Sequence, residues 1–188
     1  MAMTSRTLML PIAVAMMVAM MLPSFAATLL TYYRHLHGGG NAAASQRTTA
    51  FAVGYVGVWS TISLLLVASP ASHVGQPAPW VVSIVILCVG AIQCSRWKAR
   101  RLARCRPARV SALSRPSTAI MACLQGARFG VDCALSCAGP MAVLWVVGLM
   151  DIPMMLIITA AITAERVAPA GVRVARFTGL VALTVGLL

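Results

Sequence analysis

Cys133 and Cys137 stand four residues apart, and Met141 follows four residues later. At helical periodicity, positions i, i+4 and i+8 share one face. Two thiols and a thioether on one stripe are the donor types that suit Cu(I) or another soft ion. A disulfide within one helix is poorly disposed, because the bond needs a particular Cβ geometry. The alternative is packing, since cysteine also behaves as a small hydrophobe. A second sulfur cluster, Met16, Met17, Met20 and Met21, falls on two adjacent stripes of an apolar run near the N-terminus. Methionine fills gaps in apolar cores as readily as it ligates.

Several ionisable residues accompany these sulfurs. Asp132 adjoins Cys133. A carboxylate inside a membrane span costs about 2.5–3.5 kcal/mol on insertion scales, so it is expected to face inward toward a partner. Arg128, one turn earlier, is the local candidate. Asp132 is also placed to accept a proton as a thiol ionises on metal binding. Cys105 lies between Arg104 and Arg106, a setting that lowers a thiol pKa and suits a docking thiol. Glu165 and Arg166 read as a snorkelling pair at a helix end. His35 and His37 lie beside a glycine-rich turn and His73 in another loop. The histidines are too dispersed for a common metal centre.

These groups need elements to hold them. The chain has 188 residues, is 60% hydrophobic and 10% charged, and has a mean hydropathy of +0.89. A soluble domain of this size has too little interior for so much apolar surface. Runs approaching the ~20 residues needed to cross a bilayer occur at about 8–33, 50–68, 80–93, 129–150, 152–164 and 174–188. Closed helices satisfy their own backbone in lipid. The expectation is therefore an all-α, polytopic bundle of about six spans, forming one integral-membrane domain over residues 1–188. The first run resembles a secretory leader with Arg6 ahead of it, but exceeds the ~15 residues of a leader's apolar region.

Charge sets the orientation. The net charge is +12, and the basic residues crowd alternate loops: Arg34 and Arg47, then Arg96 through Arg128, then Arg166, Arg173 and Arg176. The positive-inside rule makes that side cytoplasmic. Loop 96–128 then faces the cytoplasm, both termini lie outside, and the bacterial inner membrane is the expected location. Between spans, the basic segment Ser95–Pro116 reads as an anchor on anionic lipid, with no nucleic-acid partner. Gly126 and Gly130 form a GxxxG pair, whose physical meaning is close helix approach. There is no nucleotide-binding loop, HExxH motif, serine elbow or paired carboxylate set, so no catalytic constellation is found.

Ala19-Met20-Met21-Leu22-Pro23-Ser24 resembles the AMM-x-PS motif of the predicted metal-binding integral membrane protein family. Met16 falls where that family tends to place a methionine. Gly54-Tyr55 with Trp59 is similar to its GY…W element. Gln93, Lys98, Leu102, Cys105 and Arg106 resemble its Q…K…CL..CR run. Gly130, Cys133, Cys137 and Met141 resemble its cysteine-rich helix, and Gly148, Met150, Met154 and Glu165 its closing elements. The resemblance covers roughly residues 12 to 166. This chain departs at Arg101 and Ser136, where the pattern carries cysteines, at Ala138 for Trp, Asp151 for Asn and Arg166 for Lys. The resemblance implies a metal-binding membrane protein.

Taken together, the expected function is binding or passing a soft metal ion, with copper as Cu(I) the expected cargo. Cys133, Cys137 and Met141 would form one wall and Met16, Met20 and Met21 the other, with Cys105 and Asp132 in lesser roles. Expected partners are the bilayer and a metallochaperone or membrane metalloenzyme. The alternative is a structural or assembly subunit whose cysteines and methionines only pack. A metal-dependent redox enzyme is disfavoured, because the histidines and carboxylates do not gather at one depth.

Overall fold

The computed structural model describes residues 2–36, 41–68, 78–110, 113–147 and 152–187, without the side chains of 2–14, 17, 41 and 108. His37, His73, Gly148, Met150, Asp151 and the side chain of Met17 lie outside the described residues. The described chain is all-α, with no strand. Its helices are α1 (Ala2–Leu36), α2 (Asn41–Ala68), α3 (Pro79–Cys94), α4 (Arg96–Arg104), α5 (Pro107–Val110), α6 (Ala119–Val147), α7 (Ile152–Val167) and α8 (Gly171–Leu187).

Helix boundaries follow local chemistry. Proline opens α3, where its missing N–H costs nothing. Ser95 ends α3 and caps α4, its side chain accepting from the Lys98 N–H at 3.2 Å. The two axes meet at 67° there. Arg106 donates to the carbonyls of Ala168 and Pro169 just beyond α7, neutralising a helix C-terminus. At Gly171 a Cβ would lie 1.9 Å from the Glu165 carbonyl oxygen, so only glycine fits the turn from α7 to α8.

Among the described residues, Ala42–Leu66 of α2 and Ala119–Val147 (α6) are long and apolar enough to cross a membrane. The bent pair α3–α4 makes a third if it counts as one span. The expectation of about six spans is thus met by two or three. Helices α3, α7 and α8 have 16, 16 and 17 residues, short of the ~20 that a full crossing requires. Helix α6 begins ten residues before the expected span, at Ala119 rather than Phe129. Gln125 and Arg128, which resemble loop residues in sequence, lie within it.

The chain divides into two compact units: 1–74 with 110–131, and 75–109 with 132–188. The first holds α1, α2 and the N-terminal half of α6. Its core is aromatic. Phe25 stacks on Tyr55 at 3.9 Å and Tyr32 on Phe51 at 4.3 Å between centroids, and Phe129 tilts against Phe51 and Tyr55. Helices α2 and α6 touch backbone to backbone. A Cβ on Gly54 would meet the Cys123 carbonyl oxygen at 2.1 Å, and one on Gly126 the Phe51 oxygen at 2.0 Å. The close approach expected of the GxxxG pair is what the structure shows. Tyr32 Oη donates to Gln125 Oε1 at 3.0 Å, and His35 Nε2 bonds the Leu113 carbonyl at 3.2 Å.

The second unit holds α3, α4, α7, α8 and the C-terminal half of α6. Helix α8 packs along α3 and α7, and α4 meets both α3 and α8. Gly90 and Gly179 allow another backbone contact, each added Cβ falling within 3.0 Å of the other's carbonyl oxygen. The unit's interior is polar and ionic.

Candidate functional site

The site grows from a defect in α6. Pro140 lies inside this helix. It has no N–H, so the Ser136 carbonyl one turn earlier loses its helical donor. A buried carbonyl without a donor is costly. The Lys98 ammonium, carried by α4, donates to this oxygen. The bend at Ser95 turns α4 so that Lys98, Leu102 and Cys105, spaced i, i+4 and i+7, form its buried face.

Lys98 is the only lysine in the chain, and it is 2% exposed. Its Nζ lies 3.0 Å from Glu165 Oε2, and Glu165 is equally buried. The second carboxylate oxygen accepts from Gln93 Nε2 at 2.7 Å and Thr178 Oγ1 at 3.0 Å. A buried ion pair persists when its remaining lone pairs are satisfied, as here. Helices α3, α4, α7 and α8 each contribute one member of this network, which fixes the α7 backbone carrying Arg166.

Arg166 completes the arrangement. It is 2% exposed, and its Nη2 donates to Cys133 Sγ at 2.7 Å, Cys137 Sγ at 3.0 Å and the Cys133 carbonyl at 3.1 Å. One nitrogen touching both sulfurs shows that the two side chains face the same point in the interior. The i, i+4 spacing therefore delivers a pair of buried sulfurs to one guanidinium. Met141, next on the same stripe, is half-buried.

The structure corrects three expectations. Asp132 pairs with Arg101 at 2.7 Å and more loosely with Arg104 at 4.0 Å, whereas Arg128 is exposed. Helix α4 brings a planar fork to the carboxylate, with Arg101 also resting 5.5 Å over the Trp97 ring. Glu165 and Arg166 do not snorkel; each is buried in a separate polar contact. Cys105 is 1% exposed, and burial pushes its thiol up from the ordinary 9.0 to about 12. Arg166 and Lys98 pull in the other direction with less effect. It is a neutral core thiol, not an activated one.

Met20 and Met21 are buried and Met16 half-buried, all in the first unit. Cys133, Cys137, Met141, Asp132 and Cys105 belong to the second. Sequence reasoning named the sulfurs of α6 but missed what surrounds them. Gln93 read as the end of a span, and Lys98 as one charge in a basic run. A lone lysine among arginines, on the apolar face of a short helix, was the available signal.

The donor set discriminates between metals. Among the described residues no group of three His, Cys, Asp or Glu side chains gathers in one place. Tetrahedral zinc, which takes four such ligands, does not fit. Two buried sulfurs with a thioether on the same stripe fit a soft ion of low coordination number. The buried Ser136 hydroxyl has no hydrogen-bond partner among the described residues, and it stands where the family pattern noted above has another cysteine.

Comparison with known families agrees with this chemistry. The model of the PpoB2 family, described as copper chaperone, matches residues 12–188. The chain belongs to that family. No curated protein and no solved structure matches it.

Proposed function

We propose that this protein is an integral membrane copper carrier that holds the ion on the Cys133–Cys137 thiol pair. Met141 supplies a third, exchangeable donor. Thiolate gives affinity, and the thioether gives the ion a weaker place to step onto as it leaves. The observation that carries this reading is the contact of both sulfurs with one Arg166 nitrogen inside a buried pocket. Membership of a copper chaperone family supports the choice of metal. Met16, Met20 and Met21 are proposed as a separate set of thioether donors within the first unit. The hydropathy of the chain and the apolar length of α2 and α6 support a bilayer location. The arginines of α4 support a cytoplasmic face for that helix.

Purified protein in mild detergent, titrated with Cu(I) against a competing chelator, tests the site. One ion per chain is expected, with affinity falling at least about 100-fold, worth ~2.7 kcal/mol, in Cys133→Ser/Cys137→Ser. Equal stoichiometry and affinity in that variant would remove the assignment.

A further inference from the structure

We propose that Arg166 is the residue by which this site selects the charge of its cargo, favouring a soft monovalent ion over a soft divalent one. The inference rests on the thiol-pair reading above and assigns a specificity role within it.

The geometry supplies the charge count. A metal binds each cysteine as the thiolate, so a thiol gives up its proton on binding. When a monovalent ion binds, two S–H bonds break, two metal–sulfur bonds form and two protons leave to the buffer. No electron changes hands. The ion with its two thiolates then carries a net charge of −1. A divalent ion in the same place gives a neutral group. Arg166 adds +1 through a guanidinium that touches both sulfurs at 2.7 and 3.0 Å. The ion, the two thiolates and the guanidinium together therefore sum to zero with a monovalent ion and to +1 with a divalent one.

Burial makes that difference matter. Cys133, Cys137 and Arg166 are all 2% exposed or less. A net charge kept from water costs several kcal/mol even after relaxation. The described ion pairs nearby are each balanced. Lys98 and Glu165 face each other at 3.0 Å, and Asp132 faces Arg101 at 2.7 Å. Each of those pairs sums to zero. The charge in contact with the sulfurs is that of Arg166.

This differs from positioning alone. A residue that only orients the thiols would, when removed, weaken every ion alike. A counter-charge would, when removed, weaken the monovalent ion and leave the divalent one nearly unchanged. Arginine is suited to such burial, because its guanidinium stays charged and holds two acceptors in a fixed plane.

The test uses the full chain in mild detergent, with Ag(I) as a redox-inert monovalent probe and Cd(II) as the divalent probe, each in competition with a chelator of known affinity. Four proteins are compared with wild type: Arg166→Lys, Arg166→Gln, Arg166→Met and Cys133→Ser/Cys137→Ser. Wild type is expected to bind Ag(I) far more tightly than Cd(II), and Arg166→Lys to keep that order. In Arg166→Gln and Arg166→Met, Ag(I) affinity should fall by about tenfold or more while Cd(II) affinity stays nearly constant, moving their ratio by roughly tenfold or more. Arg166→Met provides an apolar replacement of similar length should the glutamine variant fail to fold. An unchanged ratio in the neutral variants, with binding still dependent on the cysteines, overturns the selectivity role and leaves the thiol site standing. Wild-type Cd(II) binding as tight as Ag(I) binding overturns it without any variant. Ag(I) binding that survives unchanged in the double cysteine variant overturns both readings.

Discussion

Helix α6 passes through two interiors built on opposite principles. Its first half offers Gly126, Phe129 and Gly130 to a stack of aromatic rings and a bare backbone contact. Its second half offers Asp132, Cys133, Ser136, Cys137 and Pro140 to arginine and lysine. The first region is held by dispersion and shape, which act at short range and are indifferent to charge. The second is held by charge-assisted hydrogen bonds, each of which leaves a buried charge exposed to loss if one partner goes. The difference separates scaffold from site: packing fixes where the helix lies, and polar atoms decide what it can hold.

The largest effect should come from splitting the buried ion pair. Lys98→Met leaves Glu165 unneutralised and should cost about 3–5 kcal/mol. Adding Glu165→Leu should recover most of that loss. Unfolding followed by far-UV circular dichroism in mixed micelles measures both, and equal stability of the single and double variants would contradict the pairing. In the aromatic region, Gly126→Leu drives a side chain into the Phe51 carbonyl and should cost about 1–3 kcal/mol. Copper affinity should stay within about twofold, a few tenths of a kcal/mol. A parallel fall in affinity would show that the two regions are not separable.

A smaller change is expected at Asp132, which is 25% exposed. Asp132→Asn should lower stability by about 1 kcal/mol or less, since a half-exposed pair is screened. A loss comparable with that of Lys98→Met would place Asp132 in the ionic interior. The smallest effect concerns Cys105. Its thiol is held neutral up to about 12 against an ordinary 9.0. The native state therefore binds that proton more tightly, so stability is full below 9.0 and declines as pH rises toward 12. Cys105→Ala should flatten that decline. At pH 8, iodoacetamide should label the exposed Cys88 well before Cys105; faster labelling of Cys105 would reverse the assignment.

What could be read from sequence was whatever repeats along one helix. The stripe Cys133–Cys137–Met141 and the Gly126–Gly130 contact depend on a period of 3.6 residues, and both appear in α6 as spaced. The all-helical class followed from hydropathy. The number of membrane crossings did not, because apolar runs of 16 or 17 residues satisfy a hydropathy window without the length of a full span. Contacts between distant segments were also hidden. Arg128 is the nearest cation to Asp132 along the chain, yet Arg101 reaches it from a helix 31 residues away. Glu165 and Arg166 read as surface charges because nothing local shows that α4 and α6 bring Lys98 and two sulfurs to them. Cys105 looked activated by its flanking arginines, but its direction on α4 turned it into the core, where desolvation dominates.

Pro140 carries a further consequence. Exchange of a mid-helix proline for alanine is a standard route to a firmer rod. Here the new amide hydrogen would compete with the ammonium for the same oxygen, loosening the tether between two helices in order to perfect one of them. The irregularity acts as a socket. Under the proposed carrier role, a plugged contact of this kind can yield and re-form while the surrounding rods stay intact.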